Sequence, residues 1–221
     1  MILGISGLAG AGKDTIAEYL AKNQGFVRVA LADPLKRICR DVFAFSDEQL
    51  FGPSEKRNEP DERYHRVRLG IKDLSRFEYL TPRYALQRLG SEWGRDCYEN
   101  VWVDYTLRVA KEILDGGFVY TPQKGLESEY GHPLHPQYPY KGVVIPDVRF
   151  RNEMEAIRKA GGRLWRVIRP GAGLQGEAGK HSSEQEQQSI QNLFFDAIIY
   201  NDRSIADLYE TVERVFYKVN R

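Results

Sequence analysis

Glycines and a lysine near the start of the chain have the spacing of a phosphate-binding loop. Gly7, Gly12 and Lys13 follow the pattern G-x-x-x-x-G-K, after an apolar run at 1–6. Apolar residues at helical spacing and Gly25 as a stop predict a helix over 13–23 directly after the loop. In such a loop the backbone N–H groups point at phosphate oxygens, and the lysine ammonium reaches the outer phosphates of a nucleotide. The helix that follows adds the positive end of its dipole. The pattern therefore predicts a nucleotide phosphate site rather than a plain glycine-rich turn.

Asp14 departs from the usual form of this loop, in which Ser or Thr at that position contacts magnesium. In one interpretation the Asp14 carboxylate contacts Mg²⁺ through water. In the other it is a first-turn acid that favours the positive end of the helix dipole. Both interpretations stay open from the sequence. The candidate residues for binding ATP are Gly10, Ala11, Gly12, Lys13, Asp14 and Thr15.

A second acidic residue follows the apolar run 142–146, which predicts a buried strand that ends at Asp147. Enzymes of phosphoryl transfer keep a magnesium-organising acid in such a position beside the phosphate-binding loop. Asp147 is therefore a candidate ligand of Mg²⁺, and the alternative is a cap for the helix that follows. We expect Arg149 and Asn152 to face the same cleft.

The segment after the second predicted strand is the candidate site for a second phosphate. Asp33 and Pro34 predict the start of a helix, with Asp33 as the N-cap residue and an apolar face at Leu35, Ile38 and Val42. Lys36 then lies in the first turn, where a cation and the helix dipole together suit a monophosphate. A solvated lysine is the alternative.

Further polar groups have weaker signals. Arg83 and Gln87 lie four residues apart on a predicted helix and share a face, which could hold a phosphate or a base edge or simply contact solvent. In His181–Glu184 the majority interpretation is a serine that caps a helix. His132 and His135 lie in a proline-rich loop and do not make a convincing metal site.

The order of predicted elements indicates the fold. Strands alternate with helices along the chain, which predicts an α/β protein with a parallel sheet covered on both faces. Ligands of such sheets bind beyond the carboxyl ends of the strands. We expect one domain over 1–221, with inserts at about 51–78 and 118–141. The first insert is charge-rich and is predicted to be mobile and solvated, with a short helix. The second is predicted to be a surface excursion with a short hairpin.

Composition excludes several classes of protein. A net charge of +1 disfavours binding to polymeric nucleic acid, and no apolar run approaches the roughly 20 residues that cross a membrane. Cys39 and Cys97 form no C-x-x-C pair and indicate reduced, buried thiols. Because the loop begins at Gly7, a cleaved signal peptide would destroy it. We therefore expect a cytoplasmic protein, in the host cytoplasm if a phage encodes it.

In the segments described above, and over nearly its whole length, the chain resembles the phage-type deoxynucleoside monophosphate kinases. The segments that carry the resemblance, in chain order, are 12–15 (GKDT), 32–36 (ADPLK), 86–92 (LQRLGSE), 102–103 (WV), 147–149 (DVR) with 152–153 (NE), 167–171 (VIRPG) and 181–184 (HSSE). The order of all the segments together is more specific than any one motif.

The resemblance implies a nucleoside monophosphate kinase fold with five parallel strands, use of ATP and Mg²⁺, deoxynucleotide acceptors and a homodimer. It assigns the loop and Arg169 to ATP, and Lys13, Arg149 and Asp147 to catalysis. It implies an acceptor site formed by Lys36, Arg83, Gln87, Gly90, Ser91, Trp102, Asn152 and Glu153.

The predicted reaction is transfer of a phosphoryl group from ATP to a deoxynucleoside monophosphate. Basic residues of the first insert are lid candidates, with a solvated surface as the alternative; they are Arg57, Arg63, Arg66 and Arg68. A kinase of dephospho-coenzyme A or of a small alcohol is the nearest alternative, in which Asp33 or Asp147 would be the base. A regulatory module that binds ATP without catalysis is an alternative from another class.

Overall fold

The computed structural model of the chain describes residues 1–66, 78–128, 130, 139–173, 186–187 and 189–219. Its strands are β1 (Ile2–Ser6), β2 (Phe26–Arg28), β3 (Asp61–Arg66), β4 (Glu78–Leu80), β5 (Phe118–Thr121), β6 (Gly125–Ser128), β7 (Gly142–Val148), β8 (Arg163–Ile168) and β9 (Ala197–Tyr200). Its α-helices are α1 (Lys13–Asn23), α2 (Asp33–Phe43), α3 (Asp47–Phe51), α4 (Pro82–Gln87), α5 (Val101–Asp115), α6 (Arg151–Lys159) and α7 (Ile205–Val219). A π-helical segment covers Arg88–Arg95, and 3₁₀ turns cover Ser54–Asn58 and Asn192–Phe194.

The chain divides into two compact units. The first, which we call the sheet unit, comprises Met1–Leu31, Val103–Thr121 and Leu126–Arg221. The second, the helical unit, comprises Ala32–Trp102 and Pro122–Gly125. The expectation of one domain with two inserts stays a prediction, since compactness alone does not define a folding domain.

Five parallel strands form the sheet of the sheet unit, in the order β2-β7-β1-β8-β9. The first strand of the chain is therefore central, and its neighbours β7 and β8 come from the later part of the sequence. Strands buried on both faces have near-continuous apolar sequences, as β7 does. This architecture confirms the predicted α/β fold with a five-stranded parallel sheet.

Alternation of side chains along β1 shows that helices cover both faces of the sheet. Leu3 and Ile5 are fully buried in one core with Ile16 of α1 and Val212 of α7. Gly4 points to the opposite face, where a Cβ atom would lie 2.9 Å from the Cδ1 atom of Ile157 in α6. The glycine thus lets α6 pack closely on the central strand.

The helical unit has its own small core. Cys39 of α2 packs there with Phe45, Leu50 and Ala85, all of them buried. The predicted apolar face of α2 is wrong beyond Leu35, because Val42 is 68% exposed and Ile38 is 36% exposed. The buried face of α2 is instead the one that carries Leu35 and Cys39.

The start of α2 also differs from the prediction. Ala32 is the N-cap residue, so Asp33 and Pro34 occupy the first two helical positions. Asp33 is fully buried, and its Oδ1 atom lies 3.8 Å from Nζ of Lys36. The carboxylate therefore pairs with a cation one turn ahead instead of capping the helix.

The charged segment 51–66 has more regular structure than its composition predicted. After the 3₁₀ turn at Ser54–Asn58, β3 pairs with β4 in an antiparallel ribbon. Asp61 stabilises this segment. It is buried and accepts hydrogen bonds from Nη2 of Arg63 at 2.6 Å and Nε2 of Gln49 at 3.1 Å. Residues 53–55, 58–60, 62 and 63 are exposed, as the composition predicted, whereas Asp61 is buried. The expected mobility of 51–66 stays a prediction, and residues 67–77 lie outside the described part of the chain.

Removal of the Asp61 charge is expected to destabilise the fold in a pH-dependent way. Hydrogen bonds from Arg63 hold the pKa of Asp61 well below its usual value. A carboxylate with a lowered folded-state pKa stabilises the fold above its unfolded-state pKa of about 3.9, and the contribution is lost as the pH falls below that value. Asp61→Asn should lower the free energy of unfolding by about 1–2 kcal/mol at pH 7.

Urea unfolding at pH 7 and at pH 3 measures this effect, and the difference between wild type and Asp61→Asn should be smaller at pH 3. Asp41→Asn is the matched control, because the Asp41 carboxylate is 75% exposed and lies 3.6 Å from Arg40. An equal effect of the two substitutions at pH 7 would contradict the role assigned to Asp61.

The remaining sequence expectations have mixed outcomes. The hairpin expected within 118–141 is present as β5 and β6, while residues 129 and 131–138 lie outside the described ranges. Cys39 is buried, and burial raises the pKa of its thiol to about 11, but Cys97 is exposed, contrary to the prediction. Both cysteines are free.

None of the helices within the described ranges combines the length and apolar character that crossing a bilayer requires.

Candidate phosphate-binding site

The loop at 7–12 joins β1 to α1 through backbone conformations that favour glycine. Gly7, Gly10 and Gly12 have φ values of 151°, 77° and 101°, and Gly12 is the N-cap residue of α1. A side chain at two of these positions would also collide. A Cβ atom at Gly7 would lie 2.5 Å from the carbonyl oxygen of Val167, and one at Gly12 would lie 2.5 Å from Nδ2 of Asn201. The sequence pattern is therefore a steric requirement of this loop.

Lys13 is the first residue of α1, and its side chain is held across the loop. Its Nζ atom donates a hydrogen bond to the carbonyl oxygen of Leu8 at 2.8 Å, and the residue is 8% exposed. The ammonium group therefore lies over the loop, at the positive end of the helix. An anion bound in the loop would meet a cation, a helix N-terminus and backbone amides together.

Asp14 pairs with a cation of the sheet unit. Its Oδ1 atom accepts a hydrogen bond from Nη2 of Arg28 in β2 at 2.9 Å, and its side chain is 69% exposed. The structure thus adds a third role, a surface ion pair, to the two roles that the sequence left open. Contact with Mg²⁺ stays a proposal.

Replacement of Asp14 by asparagine is expected to have little effect on stability. Exposed ion pairs contribute about 0–1 kcal/mol, so the free energy of unfolding should fall by less than about 1 kcal/mol. Because Asp14 is a proposed contact of Mg²⁺ when nucleotide phosphates are bound, the Mg²⁺ concentration for half-maximal activity should rise. Chemical unfolding and a magnesium titration of activity measure the two effects, and an unchanged magnesium midpoint would contradict a metal contact at Asp14.

Asp147 lies inside β7, which ends at Val148, one residue later than predicted. Its Oδ1 atom accepts a hydrogen bond from the N–H group of Leu31 at 2.8 Å. The register of the sheet pairs Val148 with Ser6, the residue before the loop. Asp147 therefore directly precedes the residue of β7 that pairs with Ser6, next to the start of the loop.

The alternative of Asp147 as a helix cap is wrong. Phe150 is the N-cap residue of α6, and Glu153 accepts hydrogen bonds from the N–H groups of Arg149 at 2.7 Å and Phe150 at 2.9 Å. Glu153 is 5% exposed. Glu153 thereby fixes the backbone of Arg149. The sequence predicted that Glu153 binds substrate, and the contact that the structure shows for it is this positioning contact. Asn152 lies in the same first turn of α6.

The described residues include no group of three or more His, Cys, Asp or Glu side chains that could hold a metal ion unaided. Mg²⁺ in phosphoryl-transfer enzymes is commonly bound by one or two carboxylates together with substrate phosphates and water. The Asp147 carboxylate, beside the strand that leads into the loop, fits that mode of binding. Binding of Mg²⁺ by Asp147 and Asp14 is therefore proposed only for a complex that also contains nucleotide phosphates.

Most of the predicted acceptor residues lie in the helical unit. Besides its ion pair with Asp33, Lys36 has its Nζ atom 5.1 Å from the centre of the Phe51 ring. Arg83 donates from Nη2 to Oγ of Ser54 at 2.9 Å, and also bonds Asn58. These contacts give each cation a defined position.

The other predicted acceptor residues lie close together in sequence. Gln87 ends α4, and Gly90 and Ser91 belong to the π-helical segment. The indole N–H of Trp102 donates to the carbonyl oxygen of Gly90 at 2.8 Å. π-Helical turns are frequent at functional sites, and this one brings Gly90 and Trp102 together.

The lid candidates differ in their surroundings. Arg57 donates from Nη1 to the carbonyl oxygens of Leu50 and Gly52, and Arg63 is paired with Asp61. Both therefore stabilise the helical unit. Arg66 lies in β3, and Arg68 is outside the described residues.

Three further predicted features lie outside the described residues: His181–Glu184, His132 and His135. Arg169, by contrast, lies beside the loop, with its Nη1 atom 3.4 Å from the carbonyl oxygen of Gly10. This position is consistent with its expected role in binding ATP, which stays a proposal.

Two contacts of the loop were not predicted from the sequence. The N–H group of Gly7 donates to Oε1 of Gln187 at 3.1 Å, and Nδ2 of Asn201 donates to the carbonyl oxygen of Ala11 at 2.9 Å. A signal existed for Asn201, since it is a polar residue directly after an apolar strand, where ligand sites of parallel sheets lie. Nothing in the pattern around Gln187 indicates its role.

A glycine-rich loop between the central strand of a parallel sheet and a helix, with a lysine at the helix start, defines a P-loop protein of the α/β class. A protein of Acanthamoeba polyphaga mimivirus named "Putative deoxynucleotide monophosphate kinase" is 32% identical to the chain over 212 residues, which cover 96% of the chain and 94% of the viral protein. The chain belongs to the deoxynucleotide monophosphate kinase family. The resemblance seen in the sequence is thereby confirmed at the level of the family, and the phage type stays a prediction.

Other comparisons add little to this assignment. No family model matches the chain. Among solved structures, TT1252 from Thermus thermophilus is 17% identical with a TM-score of 0.45, covering 99% of this chain and 97% of the other. A dephospho-CoA kinase from Campylobacter jejuni is 19% identical with a TM-score of 0.46, covering 99% and 96%. Since both TM-scores are below 0.5, the fold assignment rests on the strand order of this chain.

Proposed function

We propose that the protein transfers the γ-phosphoryl group of ATP to a deoxynucleoside 5′-monophosphate, giving ADP and the deoxynucleoside diphosphate. The observation that carries the proposal is a P-loop with a buried Lys13 in a chain of the deoxynucleotide monophosphate kinase family. The name of the mimivirus relative supports the class of acceptor. The bases accepted are a matter for experiment.

ATP is the proposed donor, with its β- and γ-phosphates on the loop amides and Lys13. Mg²⁺, when bound, neutralises charge on these phosphates. Asp147 and Asp14 are the proposed residues that hold it. Arg169 would contact the donor, because its guanidinium lies beside Gly10.

The proposed chemistry needs little acid–base catalysis. An oxygen of the acceptor phosphate, already largely ionised near neutral pH, forms a bond to the γ-phosphorus. The bond from that phosphorus to the bridging oxygen of ADP breaks, and ADP leaves with its negative charge. Lys13 and Arg149 offset charge on the group in transfer, so catalysis is mainly positioning and electrostatics.

The acceptor residues are proposed from the family resemblance. Lys36 and Arg83 are the cations proposed to bind the monophosphate. The residues proposed to complete the acceptor site are Gln87, Gly90, Ser91, Trp102, Asn152 and Glu153. For Glu153 the support is indirect, since its carboxylate holds the backbone of Arg149.

Further properties are proposed on the same resemblance. The active form is a homodimer, which light scattering of the purified protein tests directly. The protein is of the phage type and acts in the cytoplasm. Its substrates are free nucleotides rather than polymeric nucleic acid. A near-neutral net charge of +1 supports the last point.

The test is a panel of acceptors with ATP and Mg²⁺, in which formation of ADP and of each diphosphate is measured separately. The panel contains deoxy- and ribonucleoside monophosphates, dephospho-coenzyme A and small alcohols. The proposal expects transfer to one or more deoxynucleotides and less to their ribose counterparts. Transfer only to dephospho-coenzyme A or an alcohol would contradict the proposed function and show the alternative kinase. ATP binding without any transfer would contradict it and indicate a regulatory module.

A further inference from the structure

Two side-chain amides from distant parts of the chain hold the P-loop at its two ends. Gln187 accepts the N–H of Gly7, and Asn201 donates to the carbonyl oxygen of Ala11. The partners are separated by 180 and 190 residues in sequence. Both contacts lie within the sheet unit.

Gln187 is itself held firmly. It is 3% exposed, and its backbone carbonyl oxygen accepts a hydrogen bond from Nη2 of Arg166 at 2.9 Å. Arg166 also donates from Nη1 to the carbonyl oxygen of Ile190 at 2.6 Å. Arg166 of β8 therefore fixes the backbone of Gln187, from which the buried side chain reaches the N–H group of Gly7.

Asn201 is fixed by the sheet. Its N–H group donates to the carbonyl oxygen of Ile168 at 2.8 Å, which continues the pairing of β8 with β9. Its amide also packs against Gly12, where a Cβ atom would have no room. The carboxyl ends of two parallel strands thus hold the far end of the loop.

A loop that binds phosphate through backbone amides must have those amides in place before the ligand arrives, because ordering a glycine-rich loop on binding is entropically unfavourable. We propose that Gln187 and Asn201 are positioning residues of the P-loop, which act through the loop backbone to preform the site for the ATP phosphates. The inference rests on the proposed function only for the identity of the ligand.

The test is the dissociation constant of Mg²⁺–ATP, measured by calorimetry on the full chain without any acceptor. Gln187→Leu removes the acceptor and leaves the Gly7 N–H without its partner, while Asn201→Ala removes the donor. Each is expected to weaken ATP binding about tenfold, since a hydrogen bond whose loss leaves a buried group unpaired is worth about that factor. The KM for the acceptor should stay unchanged.

Asn23→Ala is the matched control, because Nδ2 of Asn23 also donates to a backbone carbonyl, that of Tyr19 at 3.0 Å, but on the surface of α1. It should bind ATP like wild type. Melting temperatures show that binding is measured on folded protein, and if Gln187→Leu does not fold, the partly exposed Asn201→Ala decides alone. ATP binding equal to wild type in the folded variants would overturn the inference. A wild type that binds ATP but transfers nothing would overturn only the proposed function.

Discussion

Lys13→Ala is expected to lower the rate of phosphoryl transfer by about 10²–10³-fold, the usual effect of removing one preorganised group that stabilises charge in the transition state. Lys13 is 8% exposed and its Nζ atom lies 2.8 Å from the carbonyl oxygen of Leu8, so the ammonium group needs little rearrangement to meet a phosphate. The rate at saturating ATP and acceptor measures this effect.

Lys22→Ala is the control for Lys13→Ala. Lys22 lies in the last turn of the same helix α1, so its loss changes the net charge equally but at the end remote from the loop. Circular dichroism should show both variants folded, and Lys22→Ala should keep the wild-type rate. A Lys13→Ala variant with more than about a tenth of the wild-type rate would contradict the role of the lysine.

Gly12→Ala is expected to weaken ATP binding by at least about tenfold and to destabilise the fold. Two effects add at this position. A φ of 101° is unfavourable for alanine, which costs about 1–2 kcal/mol. The new Cβ atom would also lie 2.5 Å from Nδ2 of Asn201, so the loop or the asparagine must move. Calorimetric titration with Mg²⁺–ATP and thermal unfolding measure the two consequences.

Gly161→Ala separates the two effects at Gly12. Gly161 has a φ of 76°, and apart from its chain neighbours no atom of the described residues lies within 4 Å of a Cβ position there, so alanine has only the backbone penalty. It should lower stability by about 1–2 kcal/mol and leave ATP affinity unchanged. If Gly12→Ala also left ATP affinity unchanged, the loop geometry described above would be irrelevant to binding.

The sequence predicted the local structure around the loop well. Lys13–Asn23 was predicted as the first helix with those bounds, because apolar spacing and Gly25 mark it clearly. The alternation of strands and helices likewise predicted a parallel sheet covered on both faces. Local patterns were sufficient in these cases because each is set by residues close together in the chain.

Contacts between distant residues were beyond prediction from one sequence. The ion pair of Asp14 with Arg28 and the bond of Asp147 to Leu31 depend on the order of strands in the sheet. The role of Gln187 depends on a partner 180 residues away. The burial of Asp61 was missed for a different reason. Its partners Gln49 and Arg63 lie only 12 and 2 residues away, but a charge-rich composition does not show which side chains offset the cost of burying a carboxylate.

Transfer of label from [γ-³²P]ATP to a deoxynucleoside monophosphate tests the central claim most directly. Wild-type protein with Mg²⁺ should give a diphosphate that carries the label on its terminal phosphate, and Lys13→Ala should give almost none. Label that appears only as inorganic phosphate, or that stays in ATP with every deoxynucleotide offered, would contradict the assignment of this P-loop protein as a deoxynucleoside monophosphate kinase.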